Sequence, residues 1–158
     1  MPSTDATLTP ELPGPGVLHD LGSLDGGESY PRAINDSGQV IGTSSFPSKR
    51  TCSPRTGCST VSRSRAFLWQ DGVMRNLGTL GNYSVPAAFN DLGHVVGSSD
   101  NHAFVWKDGH MSALPTVAEC NYSTHAVDIN NHDQIVGVCY ASNGKGVHAL
   151  LWTPRPSA

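Results

Sequence analysis

Apolar residues along the chain are gathered in short stretches separated by turn-forming Gly, Asn, Asp and Pro. The clearest stretch is a five-letter word ending in tryptophan, which occurs as RAFLW (65–69), HAFVW (102–106) and HALLW (148–152). Successive side chains of a strand point to opposite faces of a sheet. Because both faces of this word are largely apolar, the pattern predicts a strand in a sheet that is covered on both sides.

The tryptophan word belongs to a unit that occurs three times, at residues 17–72, 73–109 and 110–154. Each unit carries four strand-like stretches in the same order, and mainly the loops between them differ in length. A set of strands that recurs in the same order is typical of repeat proteins, in which one small sheet occurs several times.

Tight turns separate these stretches. Asp71-Gly72 and Asp108-Gly109 follow the tryptophan word, and Asp-Gly between two apolar runs is the strongest short hairpin signal. In the first unit the turn between the two earlier stretches ends in Gly38, and glycine readily takes the positive φ of a tight turn. The sequence therefore predicts an all-β protein with four antiparallel strands in each unit.

The order of the strands predicts how the ends of the chain meet. The chain begins with a strand of the fourth type at 17–21 and ends after a strand of the third type at 149–152. Sheets with two apolar faces stack like propeller blades, and the first strand would complete the last blade and remove its exposed edge. Three blades are fewer than the usual four to eight. We therefore expect a six-bladed ring formed by a head-to-tail homodimer, with a β-trefoil-like three-fold barrel as the alternative.

Composition sets the limits of this domain. Only 15% of the 158 residues are charged, and 17 Gly and 11 Pro favour turns. Residues 1–16 are predicted to be a disordered Pro-rich leader, residues 17–154 a single domain, and residues 155–158 a tail. No apolar run reaches the length of a membrane-spanning helix, so no membrane span is expected.

Several spaced words recur together, and in this the chain resembles the HAF-repeat proteins of bacteria. Their pattern reads approximately D-L-G-T-L-G-G, A-x-x-I-N-x-x-G-Q-V-V-G and H-A-F-x-W-x-x-G. The matching stretches are DLG (20–22), NLGTLG (76–81), AIN (33–35), GQVIG (38–42) and HAF (102–104) with Trp106 and Gly109. The resemblance covers about residues 17–153. It implies a β-propeller-like repeat fold and a secreted or surface setting, and no established catalytic residues.

The third unit departs from this pattern. Leu114-Pro115 replaces Leu-Gly, Asp133 stands where a turn glycine is expected, and Leu150 replaces the phenylalanine. These departures put the regularity of the third blade in doubt.

The four cysteines are Cys52, Cys58, Cys120 and Cys139. Their spacing fits neither a C-x-x-C redox motif nor a zinc ribbon. We predict the disulfides Cys52–Cys58 and Cys120–Cys139, since each pair is local to one unit. Four free thiols in a cytosolic protein are the alternative.

The insertion at residues 44–65 of the first unit is a candidate ligand-binding loop. It contains five of the 10 Lys and Arg residues and no acid, on a chain of net charge -3. Lys49, Arg50 and Arg55 are predicted to contact phosphate, sulfate or carboxylate groups. A solvated loop whose charges have no role is the alternative.

Three tyrosines flanked by small polar residues precede the asparagine hairpins, at Tyr30, Tyr83 and Tyr122. Such rings can stack on sugars while their neighbours bond the hydroxyls, which predicts a multivalent glycan-binding surface. A purely spacing role at the blade edge is the alternative.

No motif of a known active site is present in the sequence. His102 and His148 occupy a position held by Arg65 in the first unit, which argues against metal ligation there. We expect no catalytic residue, metal or cofactor, and nucleic acid is an improbable partner. The predicted function is a secreted, non-enzymatic repeat module that binds a cell-surface or matrix ligand, with a glycan as the first candidate. The alternative is a structural protein that assembles by strand exchange.

Overall fold

The structure is a computed structural model. It describes residues 16–142 and 146–155, without the side chains of 47–51 and 59–62. The described residues form eleven β-strands and no helix. The strands are β1 (Ser29–Ile34), β2 (Val40–Ser53), β3 (Gly57–Gln70), β4 (Val73–Asn76), β5 (Ser84–Phe89), β6 (Val95–Ser99), β7 (His102–Lys107), β8 (His110–Ala113), β9 (Ser123–Ile129), β10 (Ile135–Tyr140) and β11 (Val147–Trp152). The prediction of an all-β chain is confirmed.

The strands form three open antiparallel sheets in chain order, with four strands in the first two and three in the last. The predicted Asp-Gly hairpins are present. Asp71 and Gly72 have φ of 50° and 83°, and Asp108 and Gly109 have φ of 51° and 79°. In the turn between the first two strands, Gly38 and Gly93 have φ of 74° and 77°, and Asp133 takes φ 56° at the same place in the third sheet, so this turn is kept without a glycine.

The sheets stack through two clusters of apolar side chains, which we call the first joint and the second joint. The first joint packs the first sheet against the second through Ile41, Ala66, Leu68, Leu77, Val95, Phe104 and Trp106. The second joint packs the second sheet against the third through Val96, Ala103, Ala126, Ile129 and Ile135. The middle sheet is thus covered on both faces, as the two apolar faces of its tryptophan word require.

A glycine in the second strand of each sheet makes room for a large ring. A Cβ atom on Gly42 would lie 2.6 Å from Cζ of Phe67, and one on Gly97 would lie 3.0 Å from a ring carbon of Phe104. The third sheet has leucine at the phenylalanine position. There the ring of Trp152 takes the space, 2.7 Å from a Cβ on Gly137.

One buried position in each sheet holds the incoming linker, and we call it the tie position. It is occupied by Ser44, Ser99 and Cys139. In the first two sheets the serine hydroxyl accepts hydrogen bonds from the backbone N–H of Leu24 (3.1 Å) and Leu80 (2.9 Å). In the third sheet Cys139 is instead bonded to Cys120. Both predicted disulfides are present. The Cys120–Cys139 disulfide holds the linker covalently at the tie position, where the other two sheets hold it by a hydrogen bond.

The sequence had indicated that the insertion of the first unit is a loop, but the insertion forms paired strands. It continues β2 and β3 as a two-stranded ladder, up to the pair Cys52 and Cys58 and the turn that ends in Gly57. Gly57 has φ 78°, which suits a tight reversal of the chain.

Within the described part of one copy, each of the strand-like stretches at the two ends of the array lacks a pairing partner. Residues 17–21 form no strand, and Leu18 is 96% exposed. Among the described residues, β11 pairs only with β10. None of the sheets closes into a barrel. The six-bladed ring, the dimer and the trefoil alternative therefore stay predictions.

Candidate functional site

The extended β2–β3 hairpin projects from one end of the first sheet. Its partner strand β1 pairs only as far as Ser44, whereas β2 and β3 remain paired to Cys52 and Cys58. We call residues 46–63 the arm. In the described part of the structure the strands of the arm pair only with each other, so the arm extends beyond β1 as a two-stranded ribbon.

The arm carries the predicted cationic residues. Arg55 and Arg63 are exposed, and the side chains of Lys49 and Arg50 lie outside the described part of the structure. At the base of the arm, the guanidinium of Arg65 lies 5.6 Å from the centre of the Phe46 ring and donates to the carbonyl oxygen of Asn82 at 2.5 Å. Arg65 therefore positions the arm against the second sheet, whereas Arg55 and Arg63 are free to meet an anion.

The three predicted tyrosines lie at the same end of the sheets as the arm, because each precedes or begins the first strand of its sheet. Tyr30 and Tyr122 are exposed, and Tyr83 is half-buried. The residues that pair with the tie position are Ser29, Ser84 and Thr124. Tyr30 lies one residue after Ser29, Tyr83 lies one residue before Ser84, and Tyr122 lies two residues before Thr124. The tyrosines thus share an end of the molecule but occupy three different repeat positions.

Two of these tyrosines have well-defined local contacts. Tyr30 donates its hydroxyl to the Glu28 carboxylate at 3.1 Å, and this bond raises the pKa of Tyr30. The backbone N–H of Tyr83 donates to Asp100 at 3.3 Å. Burial acts to raise the pKa of Asp100, but hydrogen bonds from Asn82 and Tyr83 outweigh it and lower the pKa.

A cleft opens at the opposite end of the sheets, between the turns of the first and second sheets. Its volume is about 710 Å³, within the usual range for small-molecule sites. The lining residues include Gln39, Gln70, Asp71, Arg75, His94, Trp106 and Asp108. The exposed side chains of Val73 and Leu92 supply apolar surface, and the polar side chains supply hydrogen-bonding groups. We call this space the turn-end cleft.

The corresponding space in the second joint is occupied by a side chain of the protein itself. The Asp133 carboxylate contacts Nδ1 of His94 at 2.7 Å and accepts hydrogen bonds from Asn90 at 2.9 Å and Lys107 at 3.2 Å. Burial acts to raise the pKa of Asp133, but the bonds from His94, Lys107 and Asn90 hold it below the ordinary value. In the first joint the position of Asp133 is taken by Gly93, which leaves the cleft open.

Sequence reasoning missed the turn-end cleft. Its residues come from turns and strand ends more than 30 positions apart, such as Gln39 and Asp108, and were interpreted as structural. The available signal was the replacement of the turn glycine by Asp133 in the third unit. That difference marks the point where the two joints diverge.

No group of three or more His, Cys, Asp or Glu suited to holding a metal ion occurs in the described part of the chain. Within the same part, no helix is long and apolar enough to cross a membrane. Comparison with known proteins gave no match to a protein-family model, a curated protein or a solved structure.

Proposed function

We propose that the chain is a non-enzymatic repeat module that assembles head to tail with a second copy into a closed ring of six four-stranded blades. The observation that carries this proposal is that one copy has both a sheet with a missing fourth strand and a strand-like segment without a sheet. The third sheet has three strands, while residues 17–21 form an additional segment of the fourth-strand type.

The linker after this segment supports its assignment as a fourth strand. The N–H of Gly22 is held by Asp20 at 2.9 Å, as that of Gly78 is held by Asn76 at 2.8 Å. The carbonyl of Gly22 accepts a 2.6 Å bond from Ser29, and that of Gly78 accepts a 2.6 Å bond from a serine in the same place. The linker that follows β4 is thus repeated after residues 17–20, which correspond to β4 itself.

The register of β3 and β4 defines how the segment would pair with β11. In the first sheet Asn76 lies opposite Phe67, and Met74 lies opposite Trp69. The same register places Asp20 opposite Leu150 and Leu18 opposite Trp152 of the second copy. Strand addition of this kind gives the unpaired edge of β11 its missing hydrogen bonds.

The outer faces of the array support a copy of the same chain as the partner. Val136 is 45% exposed and Leu151 is 62% exposed, and they face each other across β10 and β11. The equivalent pair in the middle sheet is Val96 and Val105, which packs in the second joint. A next sheet would cover Val136 and Leu151 in the same way. Such a joint is heterologous, and a ring closes it without leaving free ends.

The assembly is tested by measuring the mass of the purified chain by light scattering. We expect the mass of two chains for a protein that begins at residue 16 and of one chain for a protein that begins at residue 22. A monomer in the first case would contradict the proposal. A mass well above two chains would show that strand exchange continues without closing.

A substitution gives a sharper version of this test. Leu18 is almost fully exposed in one copy, so Leu18→Asp has no effect on a monomer. In the ring this side chain would lie beside Trp152 of the second copy, and the carboxylate would weaken assembly by at least about tenfold, since a buried unpaired charge is costly. Arg75→Ser, an exposed change elsewhere, serves as the control.

We also propose that the arm end of the module binds an anionic or glycan ligand outside the cell. Exposed Arg55 and Arg63 in an arm without acids, at the same end of the sheets as Tyr30 and Tyr122, support this second function. Two disulfides fit an oxidising compartment. A secreted setting and membership of the HAF-repeat group remain part of this proposal, supported by the repeated words of the sequence.

Retention on a sulfated-glycan column tests the arm. We expect Arg55→Ser with Arg63→Ser to elute at clearly lower salt than the parent, because exposed charge pairs weaken with ionic strength. Arg32→Ser with Arg155→Ser, two exposed changes outside the arm and the turn-end cleft, is the control for total charge. Equal elution of all variants would contradict a role for the arm, and unchanged glycan binding by Tyr30→Ala and Tyr122→Ala would remove the tyrosines from the site.

A further inference from the structure

We propose that the turn-end cleft is a binding site for a neutral, polyhydroxylated ligand of the size of a mono- or disaccharide. The cleft lies within one chain, between the first and second sheets, at the opposite end from the arm. The proposal therefore depends neither on assembly nor on the arm.

The contrast between the two joints shows that the cleft is a specific feature of the first joint. In the second joint the carboxylate of Asp133 crosses the joint and bonds three side chains of the middle sheet. In the first joint Gly93 stands at that turn position, and a Cβ there would have only the side chain of Gln39 near it, at 3.7 Å. The backbone turn is the same in both sheets, but no side chain reaches from Gly93 into the cleft.

The groups around the opening suit hydroxyls. Gln39 donates to Gln70 at 2.9 Å and accepts from Asn35 at 2.8 Å, which leaves the second N–H of Gln39 and the amide N–H groups of Gln70 as donors to a ligand. The carboxylates of Asp71 and Asp108 stand on the two Asp-Gly turns that flank the cleft. Sugar hydroxyls donate to carboxylates and accept from amide N–H groups, so a polyol can satisfy these groups together.

The charge of the lining argues for a neutral ligand. The lining includes two carboxylates, those of Asp71 and Asp108, and one guanidinium, that of Arg75. An anionic ligand would meet net repulsion, since like charges in a partly enclosed site disfavour each other. A strongly cationic ligand would meet Arg75. The exposed side chains of Val73 and Leu92 add an apolar surface against which the C–H face of a sugar ring can pack.

Saturation-transfer NMR and calorimetric titration test the site with a defined panel. The panel contains glucose, galactose, mannose, N-acetylglucosamine, cellobiose, lactose and N,N′-diacetylchitobiose, with glucuronic acid and glucosamine as charged controls. We expect at least one neutral sugar to bind with a Kd below about 10 mM, tighter than either charged sugar. No binding by any neutral sugar, or tighter binding of glucuronic acid, overturns the proposal.

The blocking variant is Gly93→Asp, which copies the third unit. Asp133 already adopts positive φ in the equivalent turn, so an aspartate is compatible with the backbone of Gly93. We expect this change to weaken sugar binding at least tenfold, and Gln70→Ala on the exposed rim to weaken it several-fold without disturbing the fold. Val117→Ala and Arg155→Ala, exposed changes outside the cleft and the arm, are the controls for the fold. Binding that survives Gly93→Asp and Gln70→Ala overturns the assignment to the cleft, and binding that is lost in Tyr30→Ala or Tyr122→Ala would place the sugar at the arm end instead.

Discussion

The first and second joints are built from the same repeated positions and yet end differently. In the first joint the large rings of Phe104 and Trp106 fill the centre and the turn end stays open. In the second joint Ala103, Ala126, Ile129 and Ile135 pack without a phenylalanine, and Asp133 closes the turn end with hydrogen bonds. A repeat scaffold can thus keep its backbone while the residue at one turn position decides whether the turn end of a joint is an open cleft or is closed by hydrogen bonds.

The largest expected effect comes from emptying the centre of each joint. Phe104 and Val96 are both fully buried on the middle sheet, on opposite faces. We expect Phe104→Ala to lower the free energy of unfolding by about 3–5 kcal/mol and Val96→Ala by about 2 kcal/mol, because the cost grows with the cavity left behind. Urea unfolding of both variants measures the difference. Equal losses would show that the first joint does not depend on its aromatic volume.

The disulfide of the third sheet is next in size. Replacing Cys120 and Cys139 by alanine should cost about 3 kcal/mol by the loop-closure model. Serine at both positions should cost less, because the tie position then carries the hydroxyl that the other two sheets use. Thermal unfolding compares the two variants.

The matched control for that experiment is removal of the other disulfide. Cys52 and Cys58 lie in the arm, beyond the sheet. Alanine at both positions should change global stability by less than about 1 kcal/mol, since the constraint acts on a segment outside both joints. A loss as large as that from Cys120 and Cys139 would show that the arm is part of the cooperative unit.

A similarly small effect is expected at Asp133, which closes the turn end of the second joint. Asp133→Asn keeps a residue that tolerates positive φ but removes the charge, and should cost about 1 kcal/mol at neutral pH for a partly exposed, charge-assisted contact. The pKa of Asp133 is lowered in the folded protein, so its contribution is present above the ordinary aspartate pKa and is lost as pH falls through the folded value. Stability curves of parent and variant should therefore converge in acid. A gap that persists at low pH would mean that the effect is steric.

Much of the fold could be predicted because its signals are local. The Asp71-Gly72 and Asp108-Gly109 turns and the alternation of the tryptophan words define the strands, and the spacing of the cysteines was enough to pair them. The arm was not predicted as paired strands, since its polar composition resembles a loop and its regularity comes from a ladder between residues on two different strands.

The turn-end cleft could not be predicted from one unit at a time. It exists because Gly93 faces Gln39 and Gln70 of the preceding sheet, which requires knowing how neighbouring sheets stack. The tyrosines show the opposite error. Their similar neighbours in the sequence indicated equivalent sites, yet linkers of different length before the first strands place Tyr30, Tyr83 and Tyr122 at three different registers.

The direction of the arm has a consequence for avidity. In a two-copy ring all the sheets run the same way, so both arms would rise from one rim, related by the two-fold axis through the centre. A surface crowded with anions would engage the pair simultaneously, and retention would increase steeply with the density of those anions. The region within the Cys52–Cys58 cystine would then also accept foreign peptides for bivalent display, at a distance from both stacked interfaces.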